Sequence, residues 1–248
     1  MKRDNLLITT IGSLNCIPSW LSDNRNYDIA LIYYPEKIDP EVKTALETYA
    51  DYLFYESGFK YETIKKVMTA NPVLLEYEYY WMPDHDVLFR KGDVNMLFNL
   101  MRNYKLELGQ PSLVNRNRSW KILVNKRLYA LRYINLVEVM CPIFSKSALE
   151  ICLDSFSWSK SGWGLGLLWG KLIKGNKAVI DQLIVEHTQK MDVKGGPLYK
   201  KLFEETGKTP EEERDYLVAK YGLDTSIKHI KMLPRKNLFL GKIINWFN

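Results

Sequence analysis

The feature that most constrains the fold of this chain is the alternation of short apolar runs with helical segments near its beginning. Strand-like runs at Leu6–Ile11, Tyr27–Tyr34 and Tyr52–Tyr55 alternate with segments of helical spacing at Pro40–Tyr49 and Tyr61–Ala70. Apolar, β-branched runs of this length are typical of buried strands. Strands that alternate with helices are typical of βαβ units. The sequence therefore predicts an α/β domain with a mostly parallel central sheet flanked by helices.

An acidic turn follows the fourth predicted strand. The aromatic run that begins at Tyr77 ends at Pro83, which cannot donate to a strand ladder, and Asp84 and Asp86 come next. Carboxylates at a rigid strand tip are suitable ligands for a hard divalent cation such as Mg²⁺ or Mn²⁺. Most Asp-x-Asp triplets are solvated turns, so the residues alone leave both a metal site and an ordinary turn open.

Two further residues are candidates for contact with a nucleotide. Gly12 follows the first predicted strand, and glycine lets a ligand approach the backbone closely. In open α/β sheets nucleotides bind beyond the carboxyl ends of the strands. Lys60 lies at the start of a predicted helix, where its ammonium group is a candidate for phosphate binding. An ordinary tight turn at Gly12 and a solvated charge at Lys60 are the alternatives.

The net charge of the 248-residue chain is +6, which suits nucleic acid, an anionic membrane surface or a phosphorylated ligand. The basic residues are scattered among acidic ones rather than concentrated in a stripe, so we expect no nucleic-acid partner. The three cysteines have no paired spacing, which is typical of reduced thiols. With no secretory signal and no apolar run of about 18 residues, the sequence predicts a cytoplasmic protein.

The C-terminal part of the chain differs from the rest in composition. After a glycine-rich break at residues 194–197, the sequence predicts two helices and then a tail, Ile227–Asn248, that alternates basic and apolar residues. Segments of this kind lie on anionic membrane surfaces, and docking of the apolar face onto the domain is the alternative. We therefore predict a domain of residues 1–197 and a helical extension of residues 198–248, with peripheral contact on the cytoplasmic face of a membrane.

Several short motifs occur in a characteristic order along the chain. They are Gly12, Asp84-His85-Asp86, Leu106–Leu113, Val137–Ser145, Gly162-Trp163-Gly164-Leu165, and Val179-Ile180-Asp181 leading to His187-Thr188. This order resembles that of the nucleotide-diphospho-sugar transferase (GT-A) fold. More narrowly, it looks like the proteins grouped as domain-of-unknown-function family 707, which are considered glycosyltransferase-like. The resemblance covers roughly residues 27–221.

The resemblance implies a single GT-A-like (Rossmann-type) domain that transfers a sugar from a nucleotide-sugar donor to a glycan or lipid-linked acceptor. It implies that Asp84 and Asp86 hold Mn²⁺ or Mg²⁺ against the donor diphosphate, with His187 near the metal or the diphosphate. For His187 a structural role is the alternative. Gly162-Trp163-Gly164 would form a wall for the donor sugar and the acceptor, because a Trp between glycines can present its face to a sugar ring.

Gly166 departs from the family pattern. The family usually has an acidic residue two positions after Gly-Trp-Gly, and in related enzymes an acidic residue in this region deprotonates the acceptor hydroxyl. Glycine cannot accept a proton. Asp154, Asp181 and Glu186 remain for this role, and of these Asp181 and Glu186 are our candidate catalytic residues. The alternatives are a retaining mechanism, or a catalytically degenerate protein that binds a nucleotide sugar or glycan without turnover.

Overall fold

The computed structural model of the chain describes residues 2–14, 16–35, 37, 39–115, 120–189 and 196–235. Within these residues, ten strands and seven α-helices follow one another in the order β1 (Asn5–Ile11), β2 (Tyr27–Tyr33), α1 (Pro40–Tyr49), β3 (Tyr52–Tyr55), α2 (Lys60–Ala70), β4 (Tyr79–Trp81), β5 (Val87–Lys91), α3 (Val94–Asn103), β6 (Leu108–Leu113), β7 (Tyr129–Ile134), β8 (Ile143–Ser145), α4 (Lys146–Cys152), α5 (Leu165–Leu172), β9 (Lys177–His187), α6 (Pro197–Thr206), α7 (Pro210–Tyr221) and β10 (His229–Pro234).

The ten strands form one sheet. Nine of them lie in the order β10-β7-β9-β6-β8-β4-β1-β2-β3, and β5 pairs with the end of β9. β1 to β4 run parallel to one another. The remaining pairings give β6, β9 and β10 the same direction, so seven of the ten strands share one direction. The predicted α/β domain with a mostly parallel sheet is confirmed.

Local sequence explains the strands and helices of the first half. Every residue of β1 and β2 is buried, as expected for central strands that helices cover on both faces. Asp39 caps α1, where its side chain accepts hydrogen bonds from the backbone N–H groups of Glu41 and Val42. The start of α1 therefore lies at the residue that its capping sequence predicts.

The second half departs from the sequence prediction at two strands. Gly109–Ser112 has the composition of a turn, yet it lies inside β6 and pairs with β8 and β9. Pro111 is tolerated there because the register shifts beside it, and proline occurs within sheets at such irregularities. Leu131–Met140 has the alternating pattern of a strand, but β7 already ends at Ile134, so the residues that follow form a loop.

The C-terminal extension contributes two helices and then returns to the sheet. α7 packs closely on α5, since a Cβ atom at Gly164 would lie 3.1 Å from the Cα atom of Arg214. Beyond α7, β10 pairs antiparallel with β7. In the described part of the chain no helix is long and apolar enough to cross a membrane. Residues 236–248 of the basic tail lie outside the described residues, and their membrane contact stays a prediction.

Candidate functional site

A cleft of about 960 Å³ opens at the carboxyl ends of the parallel strands. Thr10 near the end of β1, Tyr34 after β2 and Lys60 after β3 line it on one side. The opposite side consists of the loop after β7, the turn before α5, and residues of α6 and α7. In α/β sheets this edge is the usual place for a bound ligand. The helices of the predicted extension therefore contribute to the same cleft as the sheet.

Asp84, Asp86 and His187 converge in this cleft. The His187 Nε2 atom lies 3.1 Å from Asp86 Oδ2 and 3.8 Å from Asp84 Oδ2. One ligand atom of each residue lies within 4.8 Å of the other two. Because a divalent ion binds oxygen or nitrogen at about 2.0–2.6 Å, a single ion fits between them. Two carboxylates and one imidazole are a suitable donor set for Mn²⁺ or Mg²⁺, so the residues present fit the predicted cation.

Backbone pairing explains why residues a hundred positions apart meet here. β5 pairs antiparallel with β9 and places Val87 opposite His187. At the end of this ladder the Thr188 N–H donates to the Asp86 carbonyl at 3.0 Å, and the Gln189 N–H donates to Asp86 Oδ2 at 3.2 Å. The acidic turn is thus attached to the end of β9, which holds Asp86 beside His187.

The protonation of Asp86 and His187 is coupled. Burial raises the pKa of Asp86, but the hydrogen bond and charge of His187 outweigh it, so the pKa lies below its ordinary value. Burial lowers the pKa of His187, but Asp86, followed by the charges of Asp84 and Glu138, outweighs it and raises the pKa. Both shifts favour the charged forms, so a cation that binds His187 would have to displace its proton. Asp86 is therefore ionised, which is the form of a carboxylate that binds hard cations.

Lys60 lies against the acidic turn rather than in solvent. Its Nζ atom lies 2.6 Å from Asp84 Oδ1, and it also donates to the carbonyls of Val139 at 3.1 Å and Met140 at 3.3 Å. The lysine side chain is only 16% exposed. The structure therefore does not show a solvated charge at a helix start. Lys60 lines the cleft, and its binding to phosphate stays a prediction.

The Gly162-Trp163-Gly164 turn forms part of the cleft wall, and its contact with a sugar stays a prediction. Gly162 has a φ of 80° and Gly164 a φ of 87°, and this left-handed region favours glycine because other residues clash there. The two glycines thus set the position of Trp163, which lines the cleft together with Tyr199 of α6. The turn and α6 together form an aromatic surface of the cleft.

Glu213 on α7 holds the segment that leads into this turn. Its Oε2 atom accepts hydrogen bonds from the Ser159 hydroxyl at 3.0 Å and from the Ser161 N–H at 2.8 Å and hydroxyl at 2.6 Å. Its Oε1 atom accepts from the Lys160 N–H at 3.1 Å. Since Glu213 is buried, these bonds satisfy a charge that would otherwise be costly. Sequence reasoning missed this role, because nothing in the chain links residue 213 to residue 161.

Gly12 does not line the cleft itself. A Cβ atom at this position would lie 2.3 Å from the hydroxyl oxygen of Tyr34, which does line the cleft. The missing side chain therefore leaves room for the Tyr34 ring beyond the end of β1. Gly12 thus contacts Tyr34, and its contact with a nucleotide stays a prediction.

The structure does not place the carboxylates predicted as catalytic in the cleft. Asp181 is fully buried in an ion pair with Arg132, at 2.5 Å between Oδ2 and Nε. Glu186 precedes His187 on β9, pairs with Arg90 and does not line the cleft. Asp154 is an exposed partner of Lys65. Neighbouring strand residues point to opposite faces, which is why His187 faces the cleft and Glu186 does not. We therefore do not propose Asp181 or Glu186 as the base.

Glu138 is the cleft-lining carboxylate that sequence reasoning missed. The segment was predicted as a strand, whereas Glu138 lies in the loop after β7, where its N–H donates to Gln110 at 2.6 Å. Gly166 lies directly opposite this loop. A Cβ atom at Gly166 would lie 2.2 Å from the Val137 carbonyl oxygen and 3.8 Å from the Glu138 Cα atom. Helix α5 thus packs so tightly on the loop that position 166 has no room for a side chain.

Comparison with known proteins assigns no family to the chain. No protein-family model matches the sequence, and no curated protein matches it either, so the resemblance to domain-of-unknown-function family 707 is not confirmed. Among solved structures it is similar to A197 from STIV, with 10% identity over 77% of this chain and 87% of that chain and a TM-score of 0.43. It is also similar to S. aureus TarS 1-349, with 10% identity over 76% of this chain and 60% of that chain and a TM-score of 0.46.

Proposed function

We propose that this protein is a metal-dependent glycosyltransferase of the GT-A type, which transfers a sugar from a nucleotide-sugar donor to a glycan or lipid-linked acceptor. The observation that carries the proposal is the convergence of Asp84, Asp86 and His187 on one point of the cleft. The cluster lies at the edge of the sheet where nucleotides bind in α/β proteins. A bound Mn²⁺ or Mg²⁺ would neutralise the charge that develops on the departing diphosphate.

The size and lining of the cleft suit a nucleotide sugar. Its volume of about 960 Å³ is near the upper end of the range of roughly 300–1,000 Å³ for small-molecule sites. Asp84, Asp86 and His187 would hold the cation, and the Lys60 charge lies beside it for the diphosphate. Trp163 offers an aromatic surface for a sugar ring on the opposite wall. Donor and acceptor would then meet between these two walls.

Glu138 is our candidate for the base that deprotonates the acceptor hydroxyl. Of the three carboxylates that the described lining contains, Asp84 and Asp86 belong to the cation cluster, and Glu138 is the third. The loop of Glu138 lies against α5 at Gly166, the position where the resemblance implies an acidic residue. We infer that a carboxylate from the opposite loop takes the place of the one that position 166 has no room for. Direct displacement with such a base inverts the anomeric configuration.

The Glu138→Gln variant tests this assignment, because glutamine keeps the shape but cannot accept the proton. Transfer in the Gln variant should fall by about a hundredfold or more, since general base catalysis contributes about 10²–10⁴-fold. Nucleotide binding, measured by calorimetry, should stay within threefold of the wild type, roughly 0.7 kcal/mol. Retained transfer in the variant, or a product of retained configuration by NMR, would contradict the role of Glu138.

The proposed donor site is tested by titrating the protein with UDP and GDP in a calorimeter, first with Mn²⁺ and then with a chelator. We expect at least one of the two nucleotides to bind more tightly with Mn²⁺, because the cation links the carboxylates to the diphosphate. Equal binding with and without the metal would contradict a metal-dependent transferase.

The tight packing at Gly166 also favours a second candidate, a degenerate GT-A protein that binds a nucleotide sugar or glycan without turnover. In this case the donor would bind as above, but no product would form. A panel of nucleotide sugars, followed by chromatography for released nucleoside diphosphate, separates the two candidates. Release that requires Mn²⁺ excludes the degenerate protein.

A further inference from the structure

The ammonium group of Lys60 is fixed inside the cation cluster. An ammonium group has three N–H donors, and the structure provides three acceptors for it: Asp84 Oδ1 at 2.6 Å and the carbonyls of Val139 at 3.1 Å and Met140 at 3.3 Å. Lys60 is the first residue of α2, so its backbone is held as well. A lysine with every donor satisfied does not leave its place readily. Its charge is therefore a permanent part of the cleft.

The two oxygens of Asp84 have different neighbours. Oδ1 contacts Lys60 at 2.6 Å, whereas Oδ2 lies on the side of His187, at 3.8 Å from Nε2. Asp86 Oδ2 lies 3.1 Å from the same nitrogen. A cation between Oδ2 of Asp84, Oδ2 of Asp86 and His187 would thus leave the Lys60 contact intact. The ammonium group and the cation would lie on opposite oxygens of one carboxylate, about 5 Å apart from the bond lengths involved.

Like charges at this separation repel each other. The charge of Lys60 offsets one of the two carboxylates and makes the cleft a weaker site for a free dication. The same charge attracts a diphosphate, which has negative charges of its own. The lysine thus acts in opposite directions on the two ligands of the proposed function.

We propose that Lys60 sets the binding preference of the free cleft: it disfavours the divalent cation alone and favours the nucleoside diphosphate, so that the cation is held only together with the nucleotide. This inference rests on the proposed function, because it assumes that both ligands bind at the Asp84–Asp86–His187 cluster. It assigns to Lys60 an electrostatic role, since its three donors are already satisfied by protein acceptors and its charge keeps the cleft free of cation until a donor is present.

The test compares Lys60→Met with the wild type and with Lys66→Met, a control on the same helix whose lysine side chain is 65% exposed and pairs with Glu56. Mn²⁺ affinity without nucleotide is measured from the electron paramagnetic resonance of free Mn²⁺. Affinity for UDP and GDP without metal is measured by calorimetry in a chelator. Circular dichroism and thermal unfolding show whether each variant is folded, and Lys60→Gln replaces Lys60→Met if the latter is not.

We expect Lys60→Met to bind Mn²⁺ alone roughly tenfold more tightly, because a unit charge about 5 Å from a dication costs about this much even with the screening of water. Binding of the nucleotide without metal should weaken by a similar factor. Lys66→Met should change neither. Opposite changes for the two ligands are the signature of the proposal, because a loss of structure would weaken both.

Three outcomes would overturn the proposed role of Lys60. Weaker Mn²⁺ binding in Lys60→Met would mean that the lysine serves to orient Asp84 as a ligand. Affinities equal to those of Lys66→Met would mean that its charge does not act on either ligand. Binding of neither Mn²⁺ nor nucleotide by the wild type and both variants would contradict the proposed function itself, which distinguishes that failure from a failure of the Lys60 assignment alone.

Discussion

Two of the carboxylate–cation pairs that lie on β9 or beside its end differ in what surrounds them. Asp181 and Arg132 are both 0% exposed, and the Asp181 carboxylate also accepts from the Lys126 N–H at 2.8 Å. The Asp86–His187 pair lies at the carboxyl end of the same strand and lines the cleft. Both carboxylates belong to aspartates, so residue type does not explain the difference. Asp86 lines the cleft, whereas Asp181 does not.

The buried pair has a structural task that its contacts reveal. Arg132 donates to the carbonyls of Ile122 at 2.5 Å and Val124 at 2.9 Å, as well as to Asp181. These carbonyls belong to the segment that follows Trp120, a residue of the cleft lining. Arg132 and Asp181 therefore hold one wall of the cleft in place from behind. An ion pair whose every partner is protein serves the fold, whereas one that faces a cavity is available to a ligand.

The strongest test of this comparison is Arg132→Met, which removes one charge of the buried pair. We expect the free energy of unfolding to fall by about 3–5 kcal/mol, because Asp181 would remain as an uncompensated buried charge. Denaturant unfolding followed by circular dichroism measures the loss. Lys43→Met is the control, since the Lys43–Glu47 ion pair on α1 is exposed on both sides and exposed ion pairs contribute little to stability. If Arg132→Met lowers the free energy of unfolding as little as the control does, the distinction between the buried pair and the cleft-lining pair is wrong.

Asp86→Asn tests the Asp86–His187 pair, and its main expected effect is on ligand binding rather than on stability. We expect the metal-dependent part of nucleotide binding to weaken by about a hundredfold or more, since even groups that only orient metal ligands change metal affinity by about 10–100-fold. The free energy of unfolding should change by less than half of the value for Arg132→Met. Calorimetry with Mn²⁺ and denaturant unfolding give the two numbers. A variant that binds as the wild type does would show that Asp86 is not a ligand.

Gly166→Ala has the smallest expected effect and tests why the base comes from the loop. The new Cβ atom would lie 2.2 Å from the Val137 carbonyl oxygen, so the backbone must shift. We expect a loss of about 1–3 kcal/mol in the free energy of unfolding. Gly207→Ala is the control, because a Cβ atom there meets nothing within 4 Å and only its φ of 67° is unfavourable, at roughly 1 kcal/mol. A Gly166→Ala variant as stable as the wild type would show that the position does have room for a side chain.

Much of the first half of the fold is predictable from local sequence. The predicted helix Pro40–Tyr49 coincides with α1, and the strand Tyr52–Tyr55 coincides with β3. These elements consist of one apolar pattern between clear turn or cap residues, so interactions between near neighbours are enough to define them. The acidic turn at the end of β4 follows in the same way, because Pro83 ends the pairing.

The second half depends on pairing partners that lie far away in the chain. Gly109–Ser112 reads as a turn by composition, yet β8 and β9 on either side hold it as a strand. Residues 229–234 were predicted as part of a helical extension, but they pair with β7 as β10. Strand pairing between distant segments outweighs local propensity here, and a single sequence does not show which segments will pair.

The sequence by itself determined the residue types of the candidate site and the strand end after which Asp84 and Asp86 lie. Only the tertiary structure decided which other groups join them. The pairing of β5 with β9 brings in His187, and the same strand turns Glu186 away and buries Asp181 against Arg132. The packing of α5 on the loop excludes a side chain at Gly166 and sets Glu138 opposite. The physical reason is that a carboxylate's chemistry depends on its burial and its cation partner, and both come from residues distant in sequence.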